Sequence, residues 1–164
     1  KTYIGTKIIE AAPAIRMGGK VYDANELIPR SMEMVEEGYK VRYQDGYESF
    51  SPKDVFERFY LELTVNPELR TKKPSISQKM VDDFIVAKEV STLGDKVTVV
   101  RATLRNGFEL VESSACVSPE NYDEKLGAKI CMEKIEDKVW FLLGFLLQTG
   151  VNGLHHRLLA VLLR

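Results

Sequence analysis

Twice along this chain a turn dipeptide stands between two short runs with strand character, and each time a Ser-Pro pair with an acidic residue just behind it follows. The first passage is Tyr39-Lys-Val-Arg-Tyr43, Asp45-Gly46, Tyr47 to Phe50, then Ser51-Pro52-Lys53-Asp54. The second is Val97 to Arg105, Asn106-Gly107, Phe108 to Val117, then Ser118-Pro119-Glu120. Asp-Gly and Asn-Gly are strong hairpin signals because both residue types tolerate positive φ. Serine before proline is a helix start, since the hydroxyl caps the first turn and proline fits the first helical position. Two hairpin-then-helix passages define an α+β chain.

The rest of the sequence fills in around them. Tyr3–Ala11 reads as a strand ended by Pro13, and residues 14–38 as an ordered loop. A helix is expected from Pro52 to about Leu63, and residues 64–78, with two prolines and little hydrophobic pattern, read as a linker. After a helical turn near Ser77–Asp83 come strands near Phe84–Thr92, Val97–Arg105 and Phe108–Val117, a three-stranded meander. The period of Tyr122, Leu126, Ile130, Ile135, Val139, Leu142, Leu143 and Leu146 predicts one long helix to about Gln148. Its apolar stripe and the apolar face of the meander would cover one another. The expected organisation is a hairpin-helix module over 1–63, the linker over 64–78, a sheet with a long helix over 79–150, and an apolar tail over 151–164.

A two-residue turn at Asn106-Gly107 sets a register that pairs 105 with 108, 103 with 110 and 101 with 112. It sends Val100, Ala102, Leu104, Val111, Ala115 and Val117 to the core. Val99, Arg101, Thr103, Arg105, Phe108, Leu110, Glu112 and Ser114 then share the other face. In the first hairpin, Tyr39, Val41, Tyr43 and Phe50 are expected on one side.

Composition narrows the function by exclusion. Hydrophobic residues at 45% and charged residues at 29% are those of a globular chain, and the net charge of −1 is balanced in both halves, which weighs against a nucleic-acid or anionic-lipid partner. Two cysteines, Cys116 and Cys131, are too few for a disulfide scaffold and point to a reducing compartment. The opening residues lack the basic flank and apolar run of a secretion signal. Phe141–Leu154 is interrupted by Gln148 and Asn152 and is too short to cross a bilayer. There is no nucleophile elbow, and Cys116, Cys131, His155 and His156 have no zinc-site spacing. Gly18-Gly19-Lys20 lacks the rest of a phosphate-binding loop. Neither a catalytic set, a metal site nor a cofactor site is expected, so the chain should work by binding.

The run from Thr103 to Leu147 carries Asn106-Gly107-Phe108, Ser113–Cys116, Ser118-Pro119-Glu120-Asn121-Tyr122, Gly127 and the Trp140-to-Leu147 ending. On these residues it resembles the gp-forty-nine / gene-sixty-six family of small tailed-phage proteins, over about residues 84–148. Residues 37–60 are similar to a segment found in other phage proteins. The resemblance implies a phage or prophage origin and a setting in the cytoplasm of the bacterial host. It supplies no activity.

The candidate ligand face follows from the expected register. Phe108 could stack a ring while Arg101 and Arg105 hold phosphate or carboxylate. Asn121 and Tyr122, in the expected first helical turn, would add donors for an anion. On this reading the chain is a phage accessory binding protein acting in counter-defence. It would sequester a nucleotide-derived host signal, of cyclic-nucleotide or ADP-ribose type, or occlude a host defence protein. A nucleotide-metabolising enzyme and a DNA-binding accessory factor are the alternatives. Trp140, Phe141 and Phe145 are expected in the core or at an oligomer contact. The leucine-rich tail Leu154–Leu163 is expected to pack on its own domain or on a second copy, making the protein a homo-oligomer.

Overall fold

The computed structural model of the chain describes residues 1–155; the expected tail beyond His155 lies outside the described residues. The chain divides into two compact units, one of residues 1–62 with the segment from Thr149 onward, the other Leu63–Gln148. Both combine antiparallel strands with helix, which is the α+β class expected from the sequence.

The first unit is a four-stranded sheet in the order β2-β1-β3-β4, from β1 Glu10–Met17, β2 Lys20–Asp23, β3 Val35–Arg42 and β4 Glu48–Pro52, followed by helix α1, Lys53–Phe59. Two expectations need correction here. The first strand lies at Glu10–Met17 and not at Tyr3–Ala11, so residues 14–38 hold strand as well as loop. Pro13 is tolerated inside β1 because β2 pairs only with Ala14–Met17, leaving Pro13 on an open side where a missing donor costs little. Helix α1 stops at Phe59, well short of Leu63.

Tyr39 and Val41 face α1, and the Tyr39, Phe56 and Tyr60 rings stack in series at 4.0 and 4.8 Å. Phe50 pairs with Lys40 and so lies on the opposite face from Tyr39 and Val41, contrary to expectation. It sits over Gly38, where a Cβ would come within 2.5 Å of its ring, and under the Arg16 guanidinium at 4.7 Å.

The second unit opens with a loop tied down by Asn66 Nδ2 donating to the Ile76 carbonyl. Helix α2, Gln78–Phe84, follows, its first turn capped by the Ser77 hydroxyl accepting from the Met80 N–H. Strands β5 Ile85–Leu93, β6 Val97–Leu104 and β7 Glu109–Ala115 form the meander, in that order. A short 3₁₀ turn, Pro119–Asn121, precedes helix α3, Glu124–Asn152. The core lies between β6 and α3: Thr98, Val100, Ala102 and Leu104 meet Cys131, Ile135, Val139 and Leu143, all nearly devoid of exposure.

The buried helical row runs Gly127, Cys131, Ile135, Val139, Leu143, four residues apart. The expected stripe shares Ile135, Val139 and Leu143 with this row and misses Gly127 and Cys131. Leu126, Ile130, Leu142 and Leu146 form a flank that is partly exposed, while Phe141, expected in the core or at an oligomer contact, is 75% exposed and so outside the core. Trp140 is half-buried and donates from Nε1 to the Gln78 side-chain oxygen at 3.3 Å.

Candidate functional site

The turn between β6 and β7 decides which residues share a face. Leu104 N–H donates to the Phe108 carbonyl and Gly107 N–H to the Leu104 carbonyl, enclosing a three-residue loop, Arg105-Asn106-Gly107. Only Gly107 has positive φ, at 83°. Asn106 keeps an ordinary backbone and uses its side-chain oxygen to accept the Phe108 N–H at 3.1 Å. This loop, with one left-handed glycine, replaces the expected two-residue turn. The first hairpin repeats it: Gly46 is left-handed, and Asp45 accepts the Tyr47 N–H at 3.0 Å.

One residue of loop length shifts the register by one and turns β7 over. Arg101 pairs with Val111, Thr103 with Glu109, and Glu112 with Val100. The expected core residues Val111 and Val117 are therefore exposed, and Leu110, Glu112 and Ser114 lie on the α3 side. Glu112 is bonded there by Lys138 of α3, whose ammonium holds its carboxyl below the usual carboxylate range. A carboxyl with a depressed folded-state pKa contributes stability above its unfolded pKa and loses it as pH falls through the folded value. Glu112→Gln should accordingly flatten the acid side of the melting-temperature profile, measured by thermal melts from neutral to acidic pH.

The face of the sheet turned away from α3 is open. It presents Ala87, Glu89, Ser91 and Leu93 from β5, Val97, Val99, Arg101 and Thr103 from β6, and Glu109, Val111, Ser113 and Ala115 from β7. Leu93 and Val111 are 59% and 56% exposed. At the centre the Arg101 guanidinium is held by Glu89 at 2.7 and 2.8 Å and by Glu109 at 3.4 Å. Hydrogen bonding to Glu89, then the charges of Glu89 and Glu109, raise its pKa. The trio carries a net negative charge, the reverse of what a phosphate or carboxylate ligand requires. Glu89 and Glu109 were not among the expected site residues; pairing across the Gly94 turn, which sets Arg101 against Glu89, is the signal that finds the first.

The five expected ligand residues do not converge. Arg101 is mid-strand on the open face. Arg105 and Phe108 sit in and beside the loop at one end of β6; Phe108 is 55% exposed, and Arg105 N–H donates to the Phe84 carbonyl at 2.8 Å. Asn121 and Tyr122 lie by the opposite end of β6, ahead of α3 and not in its first turn. The Tyr122 hydroxyl is bonded to Thr92 at 2.6 Å and to Thr98 at 3.1 Å, and Glu124 accepts from Thr92 at 2.7 Å. Asp123 caps α3 by accepting the Leu126 N–H at 3.0 Å, so a carboxylate already occupies the place an anion would take. Tyr122 is thereby a clamp between helix start and sheet.

In the first unit, Arg16, Gly18, Gly19, Met34, Val35 and Glu36 line an open cleft of about 500 Å³. Its cation, Arg16, is bound by Glu36 at 2.5 and 2.9 Å. Among the described residues, no helix is long and apolar enough to cross a membrane.

The segment from Ile76 to Val151, which holds α2, the meander and nearly all of α3, matches a family model. Residues 76–151 are similar to the phage protein (N4 Gp49/phage Sf6 gene 66) family. The sheet with the open face lies within the matched segment, and the match begins earlier than the resemblance seen in the sequence, taking in α2. The family's description names no activity. No curated protein and no solved structure matches the chain.

Proposed function

We propose that this phage protein works in counter-defence by occluding a host protein held against the open face of the β5-β6-β7 sheet. The observation that carries the reading is the composition of that face: exposed Val111 and half-buried Val99 neighbour a guanidinium already engaged by two carboxylates, and Val97 and exposed Leu93 extend the apolar surface toward one end of the sheet. An apolar field around a desolvatable arginine is the make-up of a protein-binding patch. A nucleotide-derived signal held on this face would need an uncommitted cation there. Arg101 is committed to Glu89 and Glu109, and Arg105, whose side chain is in solvent, lies in the loop beyond the end of the face, which favours a protein over the signal as the thing this face binds.

The test places a photo-crosslinking residue at position 111 or, as control, at exposed position 129 on α3, and irradiates cells during infection. One host-protein adduct is expected from position 111 and none from position 129. Adducts from both positions, or from neither, overturn the proposal. So does recovery of the protein from infected cells with a stoichiometric nucleotide that denaturation releases.

A further inference from the structure

The edges of the two sheets are unequally protected. In the first unit β2 is four residues long and β4 is five residues long and ends in Pro52, both ways of blunting an edge. In the second unit β7 is guarded by α3: Lys134 donates to the outward Ser113 carbonyl at 2.9 Å. Strand β5 is blunted only at its start, by a bulge between Ile85 and Ala87, and carries a single lysine, Lys88. It is nine residues long, without proline or glycine, and exposed from Val86 to Leu93.

The ladder shows which of its groups are free. Leu104 N–H donates to Phe108 and Cys116 N–H to Lys96, so even-numbered residues of β6 bond toward β7 and odd-numbered ones toward β5. Arg101 is opposite Glu89, so the odd-numbered residues of β5 bond inward. Lys88, Val90 and Thr92 turn their N–H and carbonyl groups outward, where no described residue meets them.

We infer that β5 pairs antiparallel with β5 of a second copy, with Val90 opposite Val90 on the two-fold axis. Sequence selects this register. With Val90 on the axis, Glu89 faces Ser91, Lys88 faces Thr92 and Ala87 faces Leu93 of the other copy. Moving the axis to Glu89 sets Glu89 against Glu89, and moving it to Lys88 sets Lys88 against Lys88, each a like-charge pair that opposes association. Moving it to Ser91 avoids the clash and shortens the overlap. In the chosen register the outward groups of Lys88, Val90 and Thr92 are all bonded, and the half-exposed Val90 side chains pack on each other beside α3. The result is a continuous six-stranded sheet with both open faces on the same side. It holds whether or not that face binds a host protein.

Analytical ultracentrifugation of the full chain across a dilution series tests the pairing with three variants. Val90→Pro removes an outward donor and leaves the inward ladder intact, so it should weaken the dimer by roughly tenfold or more. Ser91→Glu sets like charges opposite each other at both symmetry-related positions and should weaken it roughly tenfold. Ser91→Lys, facing Glu89, should tighten it. The Ser91 pair decides the matter even if Val90→Pro does not fold, since that side chain is exposed on the open face. A wild-type monomer throughout the series, or a dimer indifferent to the sign of the charge at position 91, overturns the inference.

Discussion

Leu104→Ala should destabilise the protein by about 2–5 kcal/mol, whereas Arg105→Glu, one residue further on, should leave stability within about 0.5 kcal/mol. Leu104 is 1% exposed at the end of β6, and truncating it removes apolar contact and leaves a cavity the sheet cannot close. Arg105 begins the three-residue loop with its side chain in solvent, and what it gives the fold is a backbone donor to Phe84 that any residue but proline supplies. Urea unfolding of both variants measures the contrast. A loss under 1 kcal/mol for Leu104→Ala would mean the core between β6 and α3 is not close-packed. Early melting of Arg105→Glu would mean the loop side chain has a role beyond its backbone.

The adjacency of those two residues also shows how far the sequence could be read. On β6 the alternation Val100, Ala102, Leu104 gave the core face, because a central strand with one face under a helix is strongly specified. On β7 the same reasoning picked the wrong parity. An Asn-Gly pair serves both a two-residue loop with two left-handed residues and a three-residue loop with one, and the second is realised wherever the Asn or Asp oxygen can take the next N–H. The Asp45-Gly46 and Asn106-Gly107 hairpins both use it. The hydrophobic pattern could not arbitrate, since β7 is an edge strand on which Val111 and Ala115, and Val117 just beyond its end, are exposed and Glu112 is satisfied by Lys138.

The long helix was legible in its existence and in Ile135, Val139 and Leu143 of its buried row, and not in its start, in its end at Asn152, a turn beyond the expected Gln148, or in the first half of that row. Ser118-Pro119 opens a 3₁₀ turn, and Asp123 is the true cap, which leaves Tyr122 outside α3 as a clamp on Thr92 and Thr98. The first half of the row was missed because Gly127 has no side chain to mark the position and Cys131 stands next to the larger apolar Ile130. Reading Leu126 and Ile130 as the stripe then put the flank where the centre belongs. The candidate site inherited both errors: five residues expected to converge are spread from one end of β6 to the other. What replaces them, an open face around Arg101 and a free edge along β5, depends on pairing across the Gly94 turn, which the sequence did contain.

Gly127 is the position where the buried row of α3 can be tested energetically. A Cβ built there would come within 2.2 Å of the Thr98 hydroxyl oxygen and 2.7 Å of the Thr98 Cβ, so α3 approaches β6 through the missing side chain. Thr98 is fully buried, and its hydroxyl is bonded to Tyr122, so it cannot swing aside without releasing the clamp. Gly127→Ala should cost about 1–3 kcal/mol through overpacking, more than offsetting the ~1 kcal/mol that alanine gains over glycine inside a helix. In a Thr98→Ala background the hydroxyl at 2.2 Å is gone while the Cβ at 2.7 Å remains, so the same substitution should cost less than it does beside Thr98 without becoming neutral. The double-mutant cycle isolates the contact: an interaction energy of about 1 kcal/mol or more, with the second substitution relieving the first, is expected from urea unfolding of the four proteins. Additive effects would show that α3 does not meet β6 through Gly127 and that the buried row lies elsewhere on the helix.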